Sequence, residues 1–427
     1  MKLTDLKKIF FCGIGGIGVS AIARILNEKG IIVKGSDISE SDLTNTLENE
    51  GISVFYKHDE NNLDEDTELF IYTTAIKEDN PEFSKAKKHK IKTLTYAEAL
   101  AKLSEEHKLI AITGTHGKTT TTAFTSLILE KNNEDPTIIV GTLLKELANK
   151  NYKSGKSNYL VIEACEYKEA FLNYNPYILI ITNIEKDHLD YYKTEENYIN
   201  AFKKLANKME KNSYIIYDPE DENTLKALKE TKAIKTPFNK YTLNLKISGL
   251  HNEKNASMAL TASEILRIDK EKAIKVVENY NGAWRRMEEK QTKLNIDFFD
   301  DFAHHPTEIK ATLKALREKN TNKKILAIFQ PHTYNRTKEL LYEFAKSFKD
   351  ADLVIIPDIF EARDSKKDIE SVNTDILVNE INKISNNAIN GKGLEHTAKF
   401  IKENEKDFDI AITMGGSGNV DDLYLFL

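Results

Sequence analysis

Short apolar runs alternate with helical patterns three times over along this chain, and that alternation constrains the fold more than any single residue. From Lys8 onward IFFCGIG, IIVKGSD, SVFY and ELFIYTTA read as strands, with VSAIARILNEKG and SDLTNTLENEG as helices between them. Strands that are apolar at nearly every position, with helices between, build a parallel sheet covered on both faces. The alternation resumes after the helical stretch YAEALAKLSEEHK with KLIAITG, PTIIVG, NYLVIEA, YILIITNI and SYIIYD, and again from LNIDFFDDFAHHP through KKILAIFQPH, ADLVIIPDIF and DIAITMGG. With 427 residues the chain has room for two or three domains. Breaks near Ser104 and after GAWRRME divide it into 1–104, 105–291 and 292–427.

The run KLIAITGTHGKTTTT, residues 108–122, is a buried strand, a tight loop and a Thr-rich helix start. Gly114 and Gly117 let the backbone turn and aim N–H groups inward, Lys118 brings a point charge, and Thr119 offers a hydroxyl for Mg²⁺. This arrangement grips a nucleotide triphosphate. The spacing departs from the general G-x-x-x-x-G-K-[ST], since Ile112 stands where the first glycine belongs.

A second glycine loop, Gly13-Ile14-Gly15-Gly16-Ile17-Gly18, fits G-x-G-x-x-G between a strand and a helix, and Asp37 ends the next strand at the offset that places an acid on a ribose. A diphosphate-containing ligand is expected there, with its nucleotide left open by the motif. Thr73-Thr74-Ala75-Ile76 ends another strand before Asn80-Pro81-Glu82 opens a helix, either lining the same ligand or forming an ordinary turn and N-cap.

Glu163 closes NYLVIEA, and His188 follows YILIITNI. Residues beyond the strand ends of an open parallel sheet converge on the ligand crevice, so both join Thr119 as candidates to hold Mg²⁺, with Glu166, Asp187 and Asp190 as rivals. Mg²⁺ prefers oxygen, which makes a histidine ligand the less usual one.

Composition excludes several classes. An apolar content of 40% with 30% charged residues and 8 prolines belongs to a globular chain, not a disordered one. A net charge of −6 provides no basic footprint for nucleic acid. No run reaches the roughly 18 apolar residues of a membrane span, and the opening MKLTDLKKIFFCGIGG has no signal-peptide core, so a cytoplasmic protein is expected. Two cysteines, Cys12 and Cys165, suit a reducing compartment and read as buried small hydrophobes.

Taken together, GIGGIGVSAIARIL, GSDISESDLT, IYTTAIKEDNPE, ITGTHGKTTT, VIEACEYKEAFL, TNIEKDHLDYY, GLHNEKNASMA, GAWRRMEEK, DDFAHHPTEIKATL and FQPHTYNRTKEL resemble, in order and over nearly the whole chain, the Mur ligases. These ATP-dependent enzymes build the peptide stem of bacterial cell-wall precursors. The resemblance implies an α/β chain of three domains: a Rossmann-like UDP-binding domain, a central P-loop ATPase-like domain with a mostly parallel sheet, and a C-terminal Rossmann-like domain. Within the family it implies the branch that joins L-alanine to the carboxylate of UDP-N-acetylmuramic acid through an acyl phosphate. A branch that attaches a ready-made tripeptide to the same sugar shares these motifs, and the GIGGIG loop favours the alanine branch.

The resemblance also implies roles. Gly13, Ile14, Gly15, Gly16, Ile17, Gly18, Asp37, His58, Thr73, Thr74, Ala75 and Ile76 would hold the UDP-sugar. Gly114, Thr115, His116, Gly117, Lys118, Thr119 and Thr120 would hold the ATP phosphates, Asn252 and Asn255 the adenine, and Arg286, Asp301 and His304 would approach the phosphates. Thr119, Glu163 and His188 would hold Mg²⁺, while His332 and Arg336 would place the amino acid. Catalysis would then rest on Lys118, Glu163, His188, Arg286, His304 and Arg336, in a monomer or weak homo-oligomer. Three places depart from the family pattern: Lys57 where glycine is common, Thr333 where many members have arginine, and Gly415-Gly416-Ser417-Gly418-Asn419 in place of Gly-Ala-Gly-Asp. An NAD-linked oxidoreductase would account for residues 9–37 alone, and a non-catalytic nucleotide switch would leave the Gly13–Gly18 loop and the third sheet carrying DDFAHHP without a purpose.

Overall fold

The computed structural model describes residues 2–247, 249–362, 364–416 and 419–427, apart from the side chain of Asp190. Ser417 and Gly418 of the departing C-terminal loop lie outside the described residues, as does the side chain of the rival ligand Asp190. Two compact units form, one running to Leu243 with Lys254–Asn279, the other comprising Asn244–Glu253 with Tyr280–Leu427.

Among the described residues the first unit holds two sheets. Strands β1 (Lys8–Cys12), β2 (Ile32–Ser36), β3 (Ser53–Phe55), β4 (Leu69–Tyr72) and β5 (Lys92–Thr95) are all parallel in the order 3-2-1-4-5. Strands β6 (Lys108–Thr113), β7 (Thr137–Leu144), β8 (Lys150–Lys153), β9 (Tyr159–Glu163), β10 (Ile178–Ile181), β11 (Tyr214–Tyr217) and β12 (Ile234–Pro237) follow in the order 12-11-10-6-9-7-8, with only β8 antiparallel to its neighbour. Ile110, Ile112, Val161, Ile162 and Ile178–Ile181 are fully buried, as strands covered by helices on both faces require.

The β7–β8 hairpin ties these two sheets together inside the unit. Asn151 donates to the carbonyl of Ile17 at 2.6 Å, and Tyr152 donates to Glu28 at 2.6 Å beneath the Arg24 guanidinium, which lies 4.4 Å over its ring. The hairpin therefore braces the helix Ile17–Glu28 whose first turn belongs to the N-terminal glycine loop.

The second unit is a further sheet of β13 (Glu288–Lys290), β14 (Asp297–Asp301), β15 (Ile325–Gln330), β16 (Leu353–Ile356), β17 (Ala388–Asn390) and β18 (Ile410–Gly415), ordered 13-14-18-15-16-17. Only β13 runs antiparallel. Five strands have no counterpart in the apolar runs of the sequence: β5, β8, β12, β13 and β17. Each is a short sheet edge, and all but β17 are rich in polar residues, because one flank faces solvent.

Candidate active site

In each sheet the candidate residues sit just beyond the C-terminal ends of adjacent central strands, where the strand order reverses. Beyond β1, β2 and β4, a cavity of about 580 Å³ is lined by Gly13, Gly16, Asp37, His58, Thr73, Ala75 and Ile76. Ile38, Lys77, Asp79, Asn80 and Pro81 complete the lining. The loop is pinned by Asp37, whose carboxylate accepts from Gly15 N at 2.8 Å and from Ile38 N at 2.8 Å. A methyl group on Gly15 would lie 2.8 Å from that carboxylate, and one on Gly18 would lie 2.5 Å from the Tyr96 hydroxyl. These two glycines are thus required by the protein's own packing. The Thr73–Ile76 segment is a turn closed by Ile76 N on Thr73 O at 3.1 Å, and Asn80 caps the helix Pro81–Lys88 through Glu82 N and Phe83 N.

In the middle sheet the loop after β6 lies between segments that follow β9 and β10. Gly117 adopts a left-handed conformation, φ +80°, and a methyl there would lie 2.5 Å from Asn255 Oδ1. The loop is held from the β10 side: His116 N donates to Asn183 Oδ1 at 3.0 Å, and Thr115 Oγ1 donates to the Glu185 carbonyl at 3.0 Å. A loop held in this way is a rigid cradle, which leaves little reorganisation for a phosphate-binding step.

Thr119 Oγ1 donates to Glu163 Oε2 at 2.8 Å, and the same carboxylate oxygen accepts from Gly141 N at 3.3 Å. Lys118 donates to the carbonyls of Gly114 and Thr115 and reaches Glu166 at 3.1 Å. His188 faces Glu166 at 3.4 Å and Asp187 at 3.6 Å, so it meets Glu166 and not Glu163. Burial works against the charge on Lys118, but Glu166, Cys165 and Glu163 outweigh it and leave the lysine pKa raised. Burial likewise opposes ionisation of Glu166, and Lys118 and His188 overcome it and hold its pKa down. Glu166, only a rival in the sequence, is thus the buried counter-ion of the loop lysine. The doublet of acids in EACE is the signal that pointed to it. Cys12 is buried as expected, whereas Cys165, between the two acids and past the end of β9, is exposed.

In the second unit the ends of β14, β15 and β18 converge. A methyl on Gly416 would lie 3.3 Å from His304 Cγ and 3.5 Å from His332 Cβ, which places the two histidines about one glycine. His304 Nδ1 lies 3.0 Å from the Phe302 carbonyl and 3.3 Å from Glu308, and His332 stacks on Phe360 at 5.7 Å. Thr333, φ +76°, caps the short helix Tyr334–Glu339 that carries Arg336. Arg285 is buried on Asp300 at 2.9 Å and on the carbonyls of Gly415 and Gly416 at 3.1 Å, and its neighbour Arg286 lies 5.2 Å over the Phe302 ring. Asp301 accepts from Met287 N and Ala303 N, both at 2.8 Å. Burial pushes Asp301 up to about 6 despite Arg286 and those two N–H groups.

Residues 8–108 match the model of the Mur ligase family catalytic domain, 112–240 the Mur ligase middle domain and 285–420 the Mur ligase glutamate ligase domain. The chain belongs to the Mur ligase family. Full-length likeness to named members is extensive. The UDP-N-acetylmuramate--L-alanine ligase of Clostridium tetani is 40% identical over 97% of this chain and 96% of its own length. That of Acetivibrio thermocellus is 41% identical over 96% and 93%. Among solved structures, a UDP-N-acetylmuramate-alanine ligase from Thermotoga maritima superposes with a TM-score of 0.79 at 28% identity, covering 98% of both chains. A murein peptide ligase from Psychrobacter arcticus, 20% identical with a TM-score of 0.71 over 98% of this chain and 97% of its own, shares the fold. The N-terminal glycine loop therefore belongs to a Mur ligase domain, which removes the ground for an NAD-linked oxidoreductase. Among the described residues no helix is long and apolar enough to cross a membrane.

Proposed function

We propose that this Mur ligase joins L-alanine to the carboxylate of UDP-N-acetylmuramic acid at the expense of ATP, in peptidoglycan precursor synthesis in the cytoplasm, as a monomer or weak homo-oligomer. The observation that carries this reading is the Lys118, Thr119 and Glu163 constellation on a pinned glycine loop, in a chain 40% identical over 97% of its length to a ligase of that name. The domain limits proposed with it are 1–104, 105–291 and 292–427.

A carboxylate is a poor acyl donor, so it is phosphorylated first; the amine of alanine then attacks the acyl phosphate and inorganic phosphate leaves. Charge gathers on the transferring phosphoryl group and then on a tetrahedral oxyanion, so cations held in place beforehand lower both barriers. Lys118 and the loop N–H groups would hold the ATP phosphates, with Asn255 against the loop. The hydroxyl of Thr119 and the carboxylate of Glu163 are hard oxygen donors already side by side, a set that fits Mg²⁺, with His188 as a further ligand. When bound, that ion supplies charge neutralisation on the phosphates. Arg286, Asp301 and His304 would serve the phosphates, with Asn252 at the adenine and His332 and Arg336 at the amino acid. The cavity around Asp37, His58 and Thr73 would take the UDP-sugar.

The deciding assay is phosphate release with each component left out in turn. Release is expected only with UDP-N-acetylmuramic acid, ATP, Mg²⁺ and L-alanine together. Undiminished release without the sugar nucleotide rejects the proposal, and preference for a tripeptide over L-alanine moves it to the tripeptide-adding branch.

A further inference from the structure

Beneath the cavity proposed for the UDP-sugar lies a buried polar cluster of which only His58 has an assigned role. Glu82, in the first turn of the helix Pro81–Lys88, is fully buried. Its Oε2 accepts from Ser36 Oγ at 2.6 Å and Cys12 Sγ at 3.1 Å, and lies 3.1 Å from His58 Nδ1. Its Oε1 accepts from Asn62 Nδ2 at 2.7 Å and Asp59 N at 3.4 Å. Carboxylates this deep persist only when nearly every lone pair is met, and here donors approach both oxygens. His58 alone among these partners also lines the cavity.

We infer that Glu82 is a positioning residue for the sugar nucleotide: it fixes the His58 ring with Nδ1–H on the carboxylate, so that Nε2 is the nitrogen presented to the ligand. This rests on the reading of the cavity as the UDP-sugar site. Donors approach both oxygens of Glu82, so it accepts throughout; the Ser36 hydroxyl lies nearer that carboxylate, at 2.6 Å, than the ring nitrogen, at 3.1 Å, and gives its one proton to the acid, which leaves Nδ1 to carry its own. A histidine whose second nitrogen is tied to a buried carboxylate keeps one tautomer and one ring plane. Ser36 and Cys12 end β2 and β1, so the sheet sets the carboxylate and the carboxylate sets the ring. The Cys12, His58 and Glu82 atoms also lie close enough together to hold a metal ion. The direct hydrogen bonds favour the proton-linked cluster, since each donor finds its acceptor without an ion.

The test starts with the unaltered full-length protein. Nitrogen-15 spectra of the histidine rings, with the His58 signals assigned by their loss in His58→Gln, are expected to give a protonated Nδ1 and an unprotonated Nε2 for His58 near pH 8. The opposite tautomer, or one stoichiometric zinc ion retained after dialysis, overturns the inference. In Glu82→Gln the amide puts an NH₂ group, with two donors, at a place where only donors converge, so the tautomer preference should be lost. The KM for UDP-N-acetylmuramic acid and the Kd for UDP should rise about tenfold, the scale of one charge-assisted hydrogen bond. The KM for ATP and the kcat should stay within about twofold. Equal UDP affinity in the variant and the unaltered protein overturns the role of Glu82 alone. Failure of the unaltered protein to bind UDP overturns the cavity assignment itself.

Discussion

Lys118 and Glu166 face each other 3.1 Å apart beneath the glycine loop, the glutamate side chain only 1% exposed and the lysine side chain 15%. Removing the lysine therefore does two separable things. Lys118→Ala is expected to lower turnover about 10²–10³-fold through the lost charge on the phosphoryl group. It also strands a buried carboxylate, which destabilises the first unit by a few kcal/mol. The double variant Lys118→Ala with Glu166→Gln should recover most of the melting temperature and none of the turnover. UDP binding, measured by calorimetry, should survive in both.

Gly117 combines a left-handed backbone with a side-chain direction already filled by Asn255. Gly117→Ala should cost about 1–2 kcal/mol of stability from the conformation alone. Its larger effect should be on nucleotide affinity, because the loop N–H groups turn away from the phosphates. Calorimetric titration with ADP checks this, and an unchanged Kd would refute it.

Gly18 abuts the aromatic ring of Tyr96, with a methyl 2.5 Å from its hydroxyl and 2.7 Å from Cζ. Gly18→Ala should lower the melting temperature and weaken UDP binding, and Tyr96→Ala in the same chain should relieve the clash. Tyr96→Phe should not, since the ring carbon stays. Were the glycine needed only for approach of the ligand, none of the second changes would restore binding.

Asp301 titrates near 6 in the folded chain, against 3.8 for an ordinary aspartate, because burial disfavours its charge. The native state then binds more protons than the unfolded state between those values, so stability falls as pH rises from about 4 to about 6 and levels off above. The difference between those two values corresponds to roughly 3 kcal/mol. Asp301→Asn should flatten that part of the profile. The chain's single tryptophan, Trp284, lies in the same unit, so its fluorescence in urea titrations across this range reports the effect. An identical slope in the variant would assign the pH dependence elsewhere.

The apolar runs of the sequence determined the three sheets, since a central strand buried on both faces must be apolar along its length, as IAIT, LVIE, ILII and ILAIFQ are. They also placed both glycine loops and the acid and histidine beyond them, because loop chemistry is local and needs only a strand before it and a helix after it. The edge strands KTLT, KNYK, IKTP and EEK stayed illegible because, with solvent on one flank, they carry no apolar signature, and AIN because it is only three residues long between polar neighbours. What only the tertiary structure decided is which distant groups meet. Glu166 on Lys118, Tyr96 over Gly18, and Glu82 beneath His58 each join residues whose separation along the chain says nothing of their separation in space. Strand order brings them together, and strand order follows from how the helices cover the sheets, a property of the whole packed core and of no single segment.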